Sequence, residues 1–376
     1  KLCIWDNFSE DINELNNKIN NFENVIAPFP LQAIIDDPLL QLKATENFSK
    51  KEFPRNNTLP VIKPYLKHKK IRIGYFSSDF NNHPVSYLTS DLYKKHDRQK
   101  FEIHIFSFNS KKKDELNKKI SSQVDFFHEV EYMSDKDVAL LSRSLEIDIA
   151  IDLNGYTRGH RVGIFSLSVA PIQIGFVGFL GTMGINYFDY IISDKVIIPE
   201  EHKKFYSEKI IFLPNYQPNT SEFPLVDNNL NRTKLNIPVN KFVFSCFNNS
   251  YKITPCTFDS WARILLKVDN SVLVLFEQNE ITKQNLQKEI MNRGVAKNRL
   301  IFTGYLPKPE YFARFKLVNL YLDTTPYNGG TTSSDALRMG LPVLTCIGKS
   351  FSSRLAASIL KTLDLSEMIT LNPSQY

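Results

Sequence analysis

A chain of 376 residues is longer than one hydrophobic core normally grows, so two domains are expected. Its 42% apolar content, with 28 Phe and 16 Tyr, excludes a disordered or collagen-like class, and four scattered cysteines (Cys3, Cys246, Cys256, Cys346) exclude a disulfide-stapled secreted domain and a CxxC zinc site. The net charge of +6 is spread over runs such as Lys111-Lys112-Lys113, Lys118-Lys119 and Lys203-Lys204, which read as solvated faces rather than a nucleic-acid patch. The cysteine usage favours a reducing compartment. The sequence starts on Lys and ends on Tyr376 without a terminating element, which reads as a fragment cut at both ends.

Residues 1–70 read as a polar helical lead-in. Asp11 to Phe22 has helical periodicity, Pro28-Phe29-Pro30 breaks it, Asp36-Asp37 is placed in the same helical region, and Leu39 to Phe48 is helical again. Pro54 to Pro64 then forms a Pro-punctuated connector.

From residue 71 strands and helices alternate. Ile71–Phe76, Phe101–Phe108, Phe126–Val130 and Ile147–Leu153 read as strands, with helices over Tyr87–Lys95, Lys112–Ser121 and Asp135–Leu145 between them. Near-continuous apolar strands separated by helices mean a parallel sheet covered on both faces. Val162 to Phe188 has no charged residue and mimics a membrane span, but Pro171, Gln173 and the glycines 175, 178, 181 and 184 divide it into a short helix, a buried strand and a Gly-rich loop. No membrane partner is expected.

Residues 214–240 are rich in Pro and Asn and suit a connection between lobes, taken as 71–225 and 238–376. The alternation then restarts. Strands are expected at Phe242–Phe247, Ser271–Phe276, Leu300–Thr303, Leu317–Leu322 and Pro342–Cys346, and helices at Thr257–Lys267, Thr282–Arg293, Pro309–Phe315 and Ser333–Met339. Two doubly wound units predict a ligand cleft between them, with ligands past the carboxyl ends of the strands.

Three strand-end segments carry candidate chemistry. In Asp323 to Pro342, Gly329 and Gly330 allow close backbone approach and Thr331 to Ser334 supply first-turn N–H groups, an anion site suited to a diphosphate. Asp335 is placed in the first turn, where its carboxylate suits the helix dipole and a ribose hydroxyl. A plain loop and cap is the other reading. Lys252, in the loop after Phe247, is either a surface lysine or a cation that neutralises charge growing on a leaving nucleotide, which would remove the need for a metal. His83, in Ser77 to Ser86, either caps the next helix or exchanges protons at a ligand edge. Neither HExxH, a Walker loop nor GxSxG occurs, and no metal-ligand constellation emerges.

In chain order, Ser78-Asp79-Phe80-Asn81-Asn82-His83-Pro84, Asn154 to Gly159, Ala170 to Gln173, Gly178 to Thr182, Asp189 to Asp194, Tyr206 to Lys209, Cys246 to Ile253 and Asn328 to Asp335 resemble the motifs of O-linked N-acetylglucosamine transferases and their SPINDLY-like relatives. The resemblance covers about residues 71–370. It implies an α/β GT-B fold of two Rossmann-like doubly wound domains, and an inverting, metal-independent transfer of N-acetylglucosamine from UDP-GlcNAc to Ser or Thr hydroxyls of proteins, in the cytoplasm. It makes His83 the acceptor-side histidine and Lys252 the lysine on the leaving diphosphate. Asn249 stands near the same phosphates, and Leu306, Lys308 and Arg314 stand around the uracil and ribose. Gly330, Thr331, Thr332 and Asp335 belong to the phosphate-binding helix start, and Gly178 to the loop lining the sugar.

Gly330 and Tyr311 stand where the family has His, and Leu180 where it has Pro. These departures leave two alternatives, a GDP-fucose donor or a non-catalytic nucleotide-sugar-binding module. The family carries tetratricopeptide repeats ahead of its catalytic part, and the helices of residues 1–50 read as a transition out of such an array.

Overall fold

The computed structural model describes residues 2–63, 65, 68–109 and 113–376. Lys111 and Lys112 of the basic run, Lys112 at the head of an expected helix, and Pro64 at the end of the connector lie outside the described residues. The chain forms two compact units, Leu15–Leu31 with Pro38–Ser221, and Lys1–Glu14 with Gln32–Asp37 and Glu222–Tyr376.

The first of these is built on seven parallel strands: β1 (Ile71–Ser77), β2 (Phe101–Ser107), β3 (Phe126–Glu129), β4 (Ile149–Asp152), β5 (Ile172–Gly175), β6 (Tyr190–Ser193) and β7 (Lys209–Phe212). Their spatial order is β3-β2-β1-β4-β5-β6-β7, so the direction of winding reverses between β1 and β4. Apolar side chains on both faces drive this sheet. Phe76 and Phe106 are fully buried and stack at 4.3 Å, and Phe165 meets Phe76 edge-on at 5.3 Å.

Several local expectations are corrected. Pro28-Phe29-Pro30 is no break but opens a short helix, Pro28–Leu31, since proline is tolerated in a first turn. The expected Tyr87–Lys95 helix is two pieces, Pro84–Thr89 and Leu92–Lys95. Between them, the carboxylate of Asp91 accepts from the amide and the hydroxyl of Ser221, both at 2.7 Å. Strands β6 and β7 were not anticipated. The uncharged stretch does divide into the helix Val162–Ser166, β5 and a loop, and no described helix is long and apolar enough to cross a membrane.

The second unit holds six parallel strands: β8 (Phe242–Cys246), β9 (Ser271–Phe276), β10 (Leu300–Thr303), β11 (Leu320–Leu322), β12 (Val343–Cys346) and β13 (Ile369–Thr370). Their order is β10-β9-β8-β11-β12-β13, which repeats the reversal, here between β8 and β11. The helix Pro255–Lys267 starts on a Thr254 cap with Pro255 behind it and turns Phe258, Trp261 and Leu265 into the core. The helix Leu355–Thr362 and β13 were unforeseen. Asp36-Asp37 is not helical: the Asp36 carboxylate accepts from the amide and hydroxyl of Ser350, at 2.8 and 2.7 Å, and fastens segment 32–37 to this unit.

Candidate functional site

In a doubly wound sheet the strand tips splay apart where the winding reverses, and ligands settle there. In the second unit the tips are those of β8 and β11, and a buried polar network joins them. Asp323, the residue after β11, accepts from the amides of Thr324 and Gly329 at 2.9 and 2.7 Å and from the Thr345 hydroxyl at 2.8 Å. Asn248, beyond β8, donates to Asp323 at 3.3 Å and to the Thr324 hydroxyl at 2.8 Å, and its side-chain oxygen accepts from the Thr332 hydroxyl. Burial pushes the Asp323 carboxyl up to about 6, against the amide and hydroxyl donors that favour its charge.

Lys252 ends the short turn Ser250–Lys252 after β8. Its Nζ donates to the main-chain oxygen of Asn328 at 2.9 Å, which places the ammonium beside the loop leading into the helix Thr331–Arg338. Burial lowers its pKa to about 8, with Asp323 pulling the other way. Gly330 is the N-cap and brings no side chain to the first-turn amides. Its neighbour Gly329 is closely packed: a Cβ there would sit 2.5 Å from Thr332 Oγ1 and 2.7 Å from Ser333 Oγ, so those side chains would have to shift.

Further along the same helix, Asp335 lies in the second turn and not the first, because the helix begins at Thr331. It is buried, accepts from the Tyr311 hydroxyl at 2.9 Å, and is pushed up to about 6 by burial. Arg314 is buried between the rings of Phe247 and Tyr311, 3.9 and 4.5 Å from their centroids. Among the described residues its Nε and Nη1 have no hydrogen-bond partner, nor does the buried Ser333 hydroxyl. Lys308 is an exposed residue, yet the protein around its ammonium lowers it to about 8, opposed by Asp335. Leu306 is half-buried in the loop before it, and Asn249 is exposed beside the Lys252 turn.

In the first unit the reversal lies between β1 and β4. The Ser78 amide donates to Asn154 Oδ1 at 2.7 Å, and Asn154 Nδ2 donates to Asp79 at 2.9 Å. Asp152 accepts from the amides of Asn154 and Gly155, and burial pushes it up to about 7. His83 is the N-cap of the helix Pro84–Thr89. Its Nδ1 accepts from the Val85 amide at 3.3 Å and lies 3.5 Å from Asp79 Oδ2. A neutral ring serves the amide, while a protonated ring turns its N–H to the carboxylate. Gly178 lies past the end of β5, where a Cβ would come 1.9 Å from the Leu153 carbonyl oxygen.

The site residues expected from sequence divide between the two units. Asn249, Leu306, Arg314 and the residues from Lys252 to Asp335 gather in the second unit, while His83 and Gly178 belong to the first. Asn248, which joins the two strand ends, was missed. Asn248 carried a signal, an amide directly at a strand end. Among the described residues no group of three or more His, Cys, Asp or Glu is placed to hold a metal ion.

The family model of glycosyl transferase family 41 matches residues 50–218 and 220–376. The chain belongs to that family. Within family 41, it is 31% identical over 393 residues to an Arabidopsis thaliana protein named probable UDP-N-acetylglucosamine–peptide N-acetylglucosaminyltransferase SEC, with 99% of this chain aligned. It spans 40% of that relative's length. A Caenorhabditis elegans UDP-N-acetylglucosamine–peptide N-acetylglucosaminyltransferase is 25% identical, covering 82% of this chain and 37% of the relative. Among solved structures, a mutant of the Thermobaculum terrenum O-GlcNAc transferase superposes with a TM-score of 0.84 at 28% identity, covering 92% of this chain and 66% of the other. The fold class of this family 41 chain is accordingly GT-B, two parallel-sheet α/β units, as the motifs implied.

Proposed function

We propose that this chain transfers N-acetylglucosamine from UDP-GlcNAc to Ser or Thr hydroxyls of proteins, with inversion and without a metal, in the cytoplasm. The observation that carries the reading is the Lys252 ammonium held at the Asn328 carbonyl, beside the uncapped tip of the Thr331–Arg338 helix, in a family 41 chain. An uncapped helix start accepts phosphate oxygens through its amides, and a desolvated ammonium gains interaction as negative charge grows on the departing diphosphate. Lys252 supplies the positive charge that a divalent ion would otherwise bring.

Arg314, with two unsatisfied donors between aromatic rings, faces the nucleoside, with Leu306 and Lys308 beside it. Asp335 accepts from the ribose or sugar, Asn249, Gly330, Thr331 and Thr332 line the phosphates, and Gly178 lines the sugar. His83 serves the acceptor hydroxyl. The names of the Arabidopsis, Caenorhabditis and Thermobaculum proteins support N-acetylglucosamine as the sugar and a peptide as the acceptor.

The test is a panel of sugar nucleotides, UDP-GlcNAc and GDP-fucose included, read by nucleotide release and by mass spectrometry of an acceptor protein. A HexNAc adduct with UDP-GlcNAc alone is the expected result. A deoxyhexose adduct with GDP-fucose, or nucleotide binding without any adduct, overturns the reading.

A further inference from the structure

A lysine ammonium on a four-carbon stem has many rotamers, and a charge meant for one diphosphate must be held against that freedom. At Lys252 one side of the ammonium is held by the Asn328 carbonyl at 2.9 Å. The ammonium also sits over an aromatic face: Nζ lies 3.9 Å from the ring centroid of Tyr327. Tyr327 is itself buried, and Tyr251 packs edge-on against it with centroids 6.1 Å apart.

The backbone of Tyr327 is tied to the helix tip through the buried network. Its carbonyl accepts from the Thr324 hydroxyl at 2.6 Å, that hydroxyl accepts from Asn248 Nδ2 at 2.8 Å, and Asn248 Oδ1 accepts from Thr332. The main chain that carries the ring is thus linked by hydrogen bonds to the helix start, beside which the ammonium is seated. A ring face attracts the ammonium without neutralising its charge, which stays available to phosphates.

We infer that Tyr327 is a positioning residue for Lys252, its ring presenting the ammonium to the diphosphate. The inference rests on the donor-site reading of Lys252. A tyrosine that merely fills space would act on ligand binding whether or not the lysine is present, whereas a positioning tyrosine acts only through it.

Titration calorimetry with UDP separates the two on Tyr327→Phe and Tyr327→Leu, each made with Lys252 intact and with Lys252→Ala. The expected result is affinity close to wild type for Tyr327→Phe and roughly fivefold weaker for Tyr327→Leu, the size of an exposed to partly desolvated cation–π contact. In the Lys252→Ala background the leucine variant is expected to cause no further loss. Equal losses in both backgrounds, or none in either, overturn the inference. NMR of the Lys252 ε-methylene protons gives a ligand-free readout: an upfield ring-current displacement in wild type and Tyr327→Phe, lost in Tyr327→Leu. Its absence in wild type overturns the contact itself. Wild-type protein that shows the displacement but binds no UDP brings down the donor-site reading and the role of Tyr327 with it, while the contact stands.

Discussion

The buried carboxylate of Asp323 accepts the amide hydrogen of Gly329 at 2.7 Å, and so one strand-end residue shapes the loop that brings Asn328 to Lys252. Asp323→Asn swaps an acceptor for a donor among groups that already donate to it. We expect urea denaturation to show a loss of about 2–3 kcal/mol, the cost of leaving a buried polar group mispaired. UDP affinity should fall alongside, because the Gly329 amide is released. Unchanged stability would mean that the loop holds its shape without the carboxylate.

Lys252 gives opposite signs for binding and stability. Its pKa is lowered from 10.5 to about 8, so the ammonium is present below that pH and UDP affinity should decline as pH rises through about 8. Between about 8 and 10.5 the unfolded chain holds the extra proton, so this residue's contribution to stability improves over the same window. Lys252→Ala should abolish both trends and lower turnover about a hundredfold, the scale of one lost transition-state donor. Calorimetry with UDP and thermal melts across pH check the two signs.

Cap and chemistry can be separated at His83. Asparagine is a strong N-cap, so His83→Asn should keep the melting temperature while abolishing transfer to a protein acceptor. His83→Ala should lose transfer and about 1 kcal/mol of stability. Full activity in His83→Asn would confine the residue to capping the Pro84–Thr89 helix.

Asp335 is pushed up to about 6 by burial, and the Tyr311 hydroxyl works against that shift. A ligand hydroxyl that needs the ionised carboxylate should bind well above that pH and progressively worse as pH falls through it. Tyr311→Phe removes a donor that favours the charge, so the loss should begin at higher pH. UDP affinity measured from pH 5 to pH 8 reads the displacement; a curve that does not move would detach Tyr311 from Asp335.

Two glycines should respond differently to a methyl group. At Gly178 it meets the Leu153 carbonyl oxygen at 1.9 Å, a backbone atom that cannot step aside, so Gly178→Ala should cost more than about 4 kcal/mol and collapse the soluble yield. At Gly329 it meets the ends of the Thr332 and Ser333 side chains at 2.5 and 2.7 Å, which can rotate. Gly329→Ala should therefore leave a folded protein that binds UDP poorly, as differential scanning calorimetry and titration would show.

Much of the fold was legible because buried parallel strands leave apolar runs. Ile71–Ser77, Phe242–Cys246 and Ser271–Phe276 are such runs, and each was expected within a residue or so of its place. The four-residue strands Tyr190–Ser193 and Lys209–Phe212 were not, since runs this short carry little period of their own; the first pairs with β5 and the second with the first. The break at Asp91 likewise depends on Ser221, far along the chain.

The alternation of apolar strands and helices was enough, by itself, to give two doubly wound units, because buried parallel strands and polar strand ends are local demands of such a sheet, while the order of motifs along the chain carried the resemblance to the family and its GT-B class. Which groups meet was settled only in three dimensions. The pairs Lys252 with Asn328, Lys252 with the Tyr327 ring, Asn248 with Thr332 and Tyr311 with Asp335 all join strand ends or helices distant in sequence. Hydrogen bonds and ring contacts reach only a few ångströms, so the contacts of Lys252 and Asn248 exist only once β8 and β11 lie side by side, and that of Tyr311 with Asp335 only once the helices Lys308–Phe315 and Thr331–Arg338 meet.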